Sequence, residues 1–448
     1  MREIFDDPDW FEALTLGERA ALLASGPGAD PLPERMERAA RKLQRWRSES
    51  ELLDDSLFAE RLAAEGLPAD RLLHILAEPA SGLRPSPDWL KLLARSFSRP
   101  ASENGHGLGI LELFRPLISD SHARVGERLR QIPGIEATLL KRLRGLAERA
   151  LALELHASRL EGRLQGDTPE ERFASFVSSL KEPRTALEIL RRYPVMARDA
   201  CRHAEQWVEA NLEMMERFAA DRDDIVRLFA EGEDPGALVQ METGLSDYHA
   251  GGRTVAILRF GSGLRLVYKP KPLAVDLRFQ ELVAWLNGHG ASPPLRCLKV
   301  LDRGPYGWME HVDARPCATP DELERFHERQ GAWAALLYVL EATDFHHENL
   351  VAAGEHPVPI DLETLFQPDL ANQTASGPGY VPTANTVLRS GLLPRRFGSH
   401  ARDGLDLTGM GATGAQEYAM KGITGEGTDQ MRWAQYTARM EAGANAPT

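Results

Sequence analysis

The chain has 448 residues, of which 43% are hydrophobic and 27% are charged, the proportions of a soluble globular protein with more than one domain. Its formal net charge of −13 argues against a general nucleic-acid binder. The acidic N-terminus has no apolar signal core and no apolar run is long enough to span a bilayer, so we predict a cytoplasmic protein without an integral membrane segment. Cys201, Cys297 and Cys317 are far apart, which indicates a reducing compartment and predicts no zinc cluster.

Residues 1–235 carry the apolar spacing and the capping signals of successive helices. The segment Thr15–Glu18 has the sequence of a capping box. Thr168 is predicted to cap another helix in the same way, with proline in the first turn and glutamate reaching back to the cap. A long amphipathic helix is expected from about Glu136 to Arg163. Because no repeat period is visible, we predict a helical scaffold and not a solenoid.

The pattern changes after residue 235. Residues 236–315 contain the β-rich runs RTVAILRF and LRLVYKP, and the glycines of Gly261–Gly263 between them predict a hairpin. A helix and two further strands follow. Residues 316–448 begin with a long helix capped at Thr319, continue into a polar loop and a strand, and include a Gly-, Thr- and Asp-rich stretch from His400 to Asp429 that we expect to be a mobile loop.

This order of elements predicts an α+β fold whose second part is kinase-like and bilobal. The predicted parts are a helical N-terminal region at 1–235, a small antiparallel β lobe at 236–315, and a helical large lobe at 316–448. The large lobe is expected to hold a catalytic loop and a flexible activation-type segment. Since few residues follow that loop, the lobe is expected to be incomplete.

The stretch DFHHENLVAAGEHPVPIDLETLF has the acid and amide spacing of a phosphoryl-transfer site. Asp344 and Asn349 are separated as in a kinase catalytic loop, and Asp361 ends the apolar run that follows. Magnesium prefers hard oxygen ligands, so Asn349 and Asp361 are candidate magnesium ligands, and Asp344 is a candidate to orient or deprotonate the attacking hydroxyl. Two alternatives stay open: a polar turn between core elements, and a metal site at His346 and His347, although adjacent side chains rarely converge.

A second group of residues precedes this stretch in the order of a kinase small lobe. Gly251 and Gly252 predict a phosphate-covering turn, Lys269 ends a strand beside the ATP phosphates, and Glu281 on the next helix is expected to pair with Lys269. Each has an ordinary alternative: a plain turn, a strand-edge lysine and a solvated helix residue. Lysine occurs only eight times in this arginine-rich chain, so Lys269 stands out.

Three segments closely resemble the N-terminal dehydratase domain of class II lanthipeptide synthetases, the LanM type: SDYHAGGRTVAILRFGSGLRLVYKPKPLAVDLRFQELVAWLN, TDFHHENLVAAGEHPVPIDLETLF and NTVLRSGLLP. The resemblance covers essentially the whole chain and implies a lipid-kinase-like fold. Such enzymes phosphorylate Ser and Thr of a precursor peptide with ATP and Mg²⁺, then eliminate the phosphate to give dehydroalanine or dehydrobutyrine. The implied partner is a precursor peptide with an N-terminal leader.

The resemblance also implies roles for individual residues. It assigns phosphorylation to the positions occupied here by Lys269, Asp344, His346, Asn349 and Asp361. It assigns elimination to Asp247 and His249, which are two apart in a predicted extended segment and therefore share one face.

The sequence departs from the family pattern in three respects. Lys271 stands where the family usually has arginine, which keeps the charge and loses the bidentate fork. The arginine and threonine that assist elimination have no firm match in the C-terminal segment, where Arg432 is a candidate. The zinc-binding cyclase domain of the synthetases has no counterpart here, so we expect a fragment truncated before that domain, without zinc and without ring formation.

Two other functions are compatible with parts of the pattern. A small-molecule kinase of the aminoglycoside or choline type shares the Asp, Asn and Asp skeleton, and a catalytically inactive fragment would only hold the peptide. A plain kinase has no need of Asp247 and His249 beside the glycine turn. These two residues therefore favour the dehydratase interpretation.

Overall fold

The computed structural model describes residues 5–25, 31–49, 55–64, 66–67, 69–77, 87–99, 107–366, 386–397, 405–411, 414–441 and 443–447. These residues form two compact units. The first unit draws on Met1–Gly126, Leu139–Val208 and Gly425–Arg432, and the second on Glu127–Thr138, Glu209–Thr424 and Trp433–Thr448.

Helices make up the described chain before residue 238, as the apolar spacing predicts. Short 3₁₀ helices lie at Pro8–Ala13 and Gly109–Phe114. The α-helices are α1 (Leu16–Ser25), α2 (Pro33–Glu49), α3 (Asp55–Ala64), α4 (Ala69–Ala77), α5 (Asp88–Phe97), α6 (Arg115–Val125), α7 (Glu127–Arg130), α8 (Ala137–Leu160), α9 (Pro169–Leu180), α10 (Pro183–Arg192) and α11 (Pro194–Phe229). Helix α11 supplies its first part to the first unit and its remainder to the second. None of the described helices is both long and apolar enough to cross a membrane.

The two predicted capping boxes are confirmed. Thr168 Oγ1 accepts from the Glu171 N–H at 3.1 Å, and the Glu171 carboxylate accepts from the Thr168 N–H at 3.1 Å. Thr15 and Glu18 make the same reciprocal bonds, at 3.2 and 2.8 Å. These bonds satisfy amide groups that the first helical turn leaves without a partner, which is why the sequence signal predicts the start of each helix.

His203 on α11 makes the first unit sensitive to acid. Burial, together with the charge of Arg142, lowers the pKa of His203 to about 4. In the unfolded chain the imidazole of His203 has the higher pKa and takes up its proton first. Stability is therefore lost as pH falls from about 6.5 toward 4.

We therefore expect His203 to remove about 1–2 kcal/mol of unfolding free energy between about pH 7 and pH 5. His203→Gln should abolish this contribution, as measured by urea unfolding at both pH values. His74→Gln, a change at an exposed histidine of α4, is the control. Equal pH dependence in the wild type and in His203→Gln would contradict the assignment.

The second unit contains a five-stranded antiparallel sheet in the order β1-β2-β3-β5-β4. Leu258, Leu266 and Trp308 are fully buried within it. The predicted hairpin is confirmed: the Gly263 N–H donates to Phe260 O at 2.9 Å, and Leu258 lies opposite Leu266. The strands are β1 (Leu238–Thr243), β2 (Ala256–Phe260), β3 (Arg265–Lys269), β4 (Val300–Asp302) and β5 (Gly307–Glu310).

The second unit also contains two further helices. Helix α12 (Ala274–Gly288) lies between β3 and β4 in the chain, and α13 (Pro320–Val339) follows β5. Thr319 caps α13 by accepting from the Glu322 N–H at 3.2 Å, as predicted. After α13 come four short strands in two hairpins and a longer pair. They are β6 (Leu350–Ala353) with β7 (His356–Pro359), β8 (Arg396–Phe397) with β9 (Leu405–Asp406), and β10 (Gln416–Thr424) with β11 (Arg432–Met440).

The prediction of a mobile loop from His400 to Asp429 is wrong for Gln416–Thr424. Gln416–Thr424 is strand β10, paired with β11. Composition indicated a loop, but the pairing partner lies beyond the predicted loop, and such a contact leaves no local signal. Residues 400–404 and 412–413 lie outside the described residues.

Candidate functional site

The loop after α13 is held by apolar anchors in the core of the second unit. Three buried side chains pack in one cluster with α13: Phe345, Leu350 and Leu362. Burying each stabilises the fold by roughly 1.5–3 kcal/mol. A candidate residue directly precedes each anchor: Asp344, Asn349 and Asp361. The core therefore fixes the backbone at the three polar positions.

The β6–β7 hairpin brings the two candidate magnesium ligands to one end. Leu350 pairs with Pro359, and the Ile360 N–H donates to Asn349 O at 3.1 Å, which extends the pairing by one residue. Asp361 follows immediately. Residues twelve apart in sequence are thus neighbours at the open end of the hairpin.

Asp344 is presented to solvent on a strained backbone. Its φ is +65°, a left-handed conformation that costs a non-glycine residue about 1 kcal/mol. Two hydrogen bonds hold the peptide there: the Phe345 N–H donates to Ser390 O at 2.8 Å, and Asn349 Nδ2 donates to Asp344 O at 2.9 Å. The Asp344 side chain is 60% exposed, so its carboxylate is accessible to a substrate.

His346 lies beside both Asp344 and Asn349. The Glu348 N–H donates to His346 Nδ1 at 3.2 Å, and Asn349 Nδ2 lies 3.3 Å from His346 Nε2. Nε2 lies 3.8 Å from Asp344 Oδ1. His347 instead has its Nδ1 3.1 Å from Leu407 O. The two rings have different partners, and among the described residues no three His, Cys, Asp or Glu side chains converge as metal ligands.

Lys269 is the buried cation of the site. It ends β3 as predicted and is 5% exposed. Its Nζ donates to Ile360 O at 2.6 Å and lies 3.5 Å from Asp276 Oδ1 and 4.0 Å from Asp361 Oδ1. The last residue of a sheet strand thus meets the segment that follows β7.

The expected ion pair between Lys269 and Glu281 is wrong. Glu281 pairs with Arg278 on the exposed face of α12, at 2.7 Å, and Asp276 takes the place beside Lys269. The physical reason is helix phase: Asp276 precedes the buried Phe279 by three positions and is 2% exposed, whereas Glu281 lies out of phase with the buried face. An acid in register with apolar residues was the signal that would have found Asp276.

Lys271 joins the same cluster from the exposed side. Its Nζ lies 2.8 Å from Asp361 Oδ1 and 2.5 Å from Glu363 Oε2. Burial alone would raise the pKa of Asp361, but Lys269 and then Lys271 outweigh it and hold that pKa below its ordinary value. Asp361 is therefore ionised at neutral pH. Burial raises the pKa of Asp276 despite the same two lysines.

Gly251 and Gly252 form the predicted turn, both with φ of +76°. His249 begins it: the Gly252 N–H donates to His249 O at 2.9 Å. Asp247 is exposed two residues earlier. Within the described part of the chain the side chains of Asp247 and His249 make no hydrogen bond or ion pair.

The structure thus brings Lys269, Asp361 and the unpredicted Asp276 into contact, and it brings Asp344, His346 and Asn349 into a second group at the same hairpin end. Arg432 is exposed at the first position of β11, and its role in elimination stays a prediction.

The side-chain oxygen atoms at the open end of the β6–β7 hairpin fit a hard cation. Asp361 is ionised, and Asn349 Nδ2 is committed to Asp344 O, which leaves Asn349 Oδ1 as the group that can accept or ligate. A carboxylate and an amide oxygen are ligands that Mg²⁺ accepts when phosphate oxygens and water complete its shell.

Comparison with known proteins gives the chain a family. Residues 193–448 match a family described as a domain of unknown function, DUF4135. The chain is also 28% identical over 228 residues to the lacticin 481/lactococcin biosynthesis protein LcnDR2 of Lactococcus lactis subsp. lactis. This match covers 49% of the chain and 24% of LcnDR2, so the chain spans about a quarter of that relative's length. The chain belongs to the DUF4135 family, and its resemblance to class II lanthipeptide synthetases is confirmed.

Proposed function

We propose that the chain is a lanthipeptide precursor dehydratase, which phosphorylates Ser and Thr of a precursor peptide with ATP and then eliminates the phosphate. The observation that carries the proposal is the contact of Lys269 Nζ with Ile360 O at 2.6 Å and its approach to Asp361 Oδ1 at 4.0 Å. A buried strand-end cation and an ionised carboxylate meet there, and ATP phosphates need both a cation and a metal ligand. The similarity to a lacticin 481/lactococcin biosynthesis protein supports a peptide substrate.

A kinase-like fold is part of this proposal. The small lobe would be 236–315, with its antiparallel sheet and α12, and the large lobe 316–448, with α13 and the β6–β7 hairpin. The order of these elements and the strand-end position of Lys269 support the assignment. Because the reaction consumes ATP, we place the protein in the cytoplasm, with a leader-bearing precursor peptide as its partner.

In the phosphorylation step the peptide hydroxyl attacks the γ-phosphorus of ATP, the bond to the β–γ bridging oxygen breaks, and ADP leaves. Asp344 accepts the hydroxyl proton, and His346, whose Nε2 lies 3.8 Å from Asp344 Oδ1, orients its carboxylate. Lys269 contacts the phosphate oxygens. Asn349 and Asp361 would hold Mg²⁺, which neutralises phosphate charge when bound.

In the elimination step a base removes the α-proton of the phosphorylated residue, a Cα–Cβ double bond forms, and the Cβ–O bond breaks to release phosphate. Serine gives dehydroalanine and threonine gives dehydrobutyrine. We assign His249 to the leaving phosphate and Asp247 to orienting His249 or relaying a proton. Their position at the glycine turn, with side chains not engaged elsewhere in the described chain, supports this assignment.

Co-expression with the precursor peptide and mass spectrometry of the product test the proposed function. We expect a loss of water at each modified residue, with phosphate adducts as intermediates. A small-molecule kinase would consume ATP with an aminoglycoside or choline and leave the peptide unmodified. A peptide that is bound and yet unmodified, without phosphate adducts, would contradict the proposal.

A further inference from the structure

One arginine side chain both closes the glycine turn and ties it to helix α11. Arg253 Nη1 donates to Ala250 O at 2.5 Å, inside the turn. Its Nε and Nη2 donate to the two carboxylate oxygens of Glu213 on α11, at 2.5 and 3.1 Å. The backbone completes the turn, since the His249 N–H donates to Arg253 O at 2.8 Å. The whole guanidinium fork is therefore used to set the conformation of the segment that carries His249.

Gly251 fits this arrangement in two ways. Its φ of +76° is a conformation that favours glycine, and a Cβ at this position would stand 2.7 Å from Arg253 Nη1. The place of the guanidinium and the shape of the turn thus depend on each other.

The network continues from Glu213 to the strand that ends at Lys269. Arg217 Nη2 donates to Glu213 Oε1 at 2.7 Å, and Arg217 Nη1 donates to the Tyr268 hydroxyl at 2.5 Å. Tyr268 is 3% exposed and directly precedes Lys269. Two points on α11, one turn apart, therefore hold both the glycine turn and the end of β3.

The network restricts the conformation of the glycine turn more than it contributes to the free energy of unfolding. Its hydrogen bonds with Arg253 lower the pKa of Glu213 against the effect of burial, so the carboxylate is charged at neutral pH. Yet the side chains of Arg253 and Glu213 are 35% and 28% exposed, and ion pairs with that exposure contribute little to the free energy of unfolding. A bidentate contact nevertheless restricts orientation strongly.

We propose that Arg253 and Glu213 are positioning residues that set the glycine turn, and with it His249, relative to the strand that ends at Lys269. This inference rests on the proposed function, together with the prediction from the sequence that Gly251 and Gly252 cover the ATP phosphates. Arg253 acts through the turn, because Nε, Nη1 and Nη2 of its guanidinium donate to Ala250 and Glu213.

Calorimetric titration of the full chain with the non-hydrolysable nucleotide AMP-PNP and Mg²⁺ tests the proposal, alongside thermal unfolding without nucleotide. We expect Arg253→Ala and Glu213→Gln each to weaken nucleotide binding about tenfold, because the turn loses its set position. The Tm without nucleotide should stay close to that of the wild type. The double variant should bind no more weakly than either single variant, since both changes remove one interaction.

Two further variants separate geometry from charge. Arg253→Lys keeps the positive charge and loses the fork, so we expect the same loss as in Arg253→Ala. Arg222→Ala, a change on helix α11, removes an exposed ion pair with Asp234 in the loop that follows the helix, where N and O lie 3.0 Å apart. This variant is expected to bind nucleotide like the wild type.

The outcomes are distinguishable. Wild-type affinity in Glu213→Gln and Arg253→Ala overturns the positioning role and leaves the proposed function standing. Wild-type affinity in Arg253→Lys shows that charge suffices and also overturns it. A fall in Tm that parallels the loss of affinity in both single variants assigns the pair to folding instead. A wild-type chain that binds no nucleotide removes the proposed function and this inference together.

Discussion

Asp361→Asn is expected to abolish phosphoryl transfer, lowering its rate about a thousandfold or more, so that neither phosphorylated nor dehydrated peptide forms. Asparagine keeps the shape of the side chain but carries no negative charge. In the wild type, Lys269 and Lys271 keep the Asp361 carboxylate ionised at neutral pH. Asparagine is thus a poorer magnesium ligand, and it leaves two buried or half-buried lysines beside a neutral group. The effect falls on the first half-reaction, which distinguishes it from a defect in elimination.

The measurement is the mass distribution of a co-expressed precursor peptide, followed over time. Glu281→Gln is the matched control, because this acid pairs with Arg278 on the exposed face of α12 and has no contact with Lys269. We expect the control to dehydrate the peptide like the wild type. Phosphopeptide formed at the wild-type rate by Asp361→Asn would remove Asp361 from the metal site.

His249→Ala is expected to separate the two half-reactions. Phosphorylation depends on the residues at the β6–β7 hairpin end and continues, whereas elimination loses the group assigned to the leaving phosphate. We therefore expect phosphorylated peptide to accumulate, with the dehydrated fraction reduced about a hundredfold, the scale of one lost acid–base or oxyanion contact. ATP consumption should persist.

His289→Ala serves as the control, since this histidine is exposed beyond the end of α12 and stacks on Trp285 at a ring distance of 4.1 Å. It should give fully dehydrated product. Two results would reject the role of His249: complete dehydration by His249→Ala, or unmodified peptide without any phosphate adduct. The first would assign elimination to other groups, and the second would place His249 in phosphorylation.

Features that depend on neighbouring residues were predictable from the sequence. The capping boxes at Thr15 and Thr168 and the hairpin at Gly261–Gly263 are each set by residues a few positions apart, and each is confirmed. The strand end at Lys269 is confirmed for the same reason, because side-chain alternation and the proline after it are local signals.

The tertiary structure decided which distant side chains and strands pair with each other. Glu281 was predicted from the sequence as the partner of Lys269, whereas the phase of α12 against the buried core places Asp276 there instead. The contact of Arg253 with Glu213 spans forty residues, and nothing in either local sequence indicates it. Strand β10 was predicted as a loop from its composition, because its pairing strand β11 lies beyond the Gly-, Thr- and Asp-rich stretch. Short-range hydrogen bonds are determined by residues that are close in sequence. The approach of distant side chains follows instead from how the helices and strands pack, and packing is a property of the whole fold.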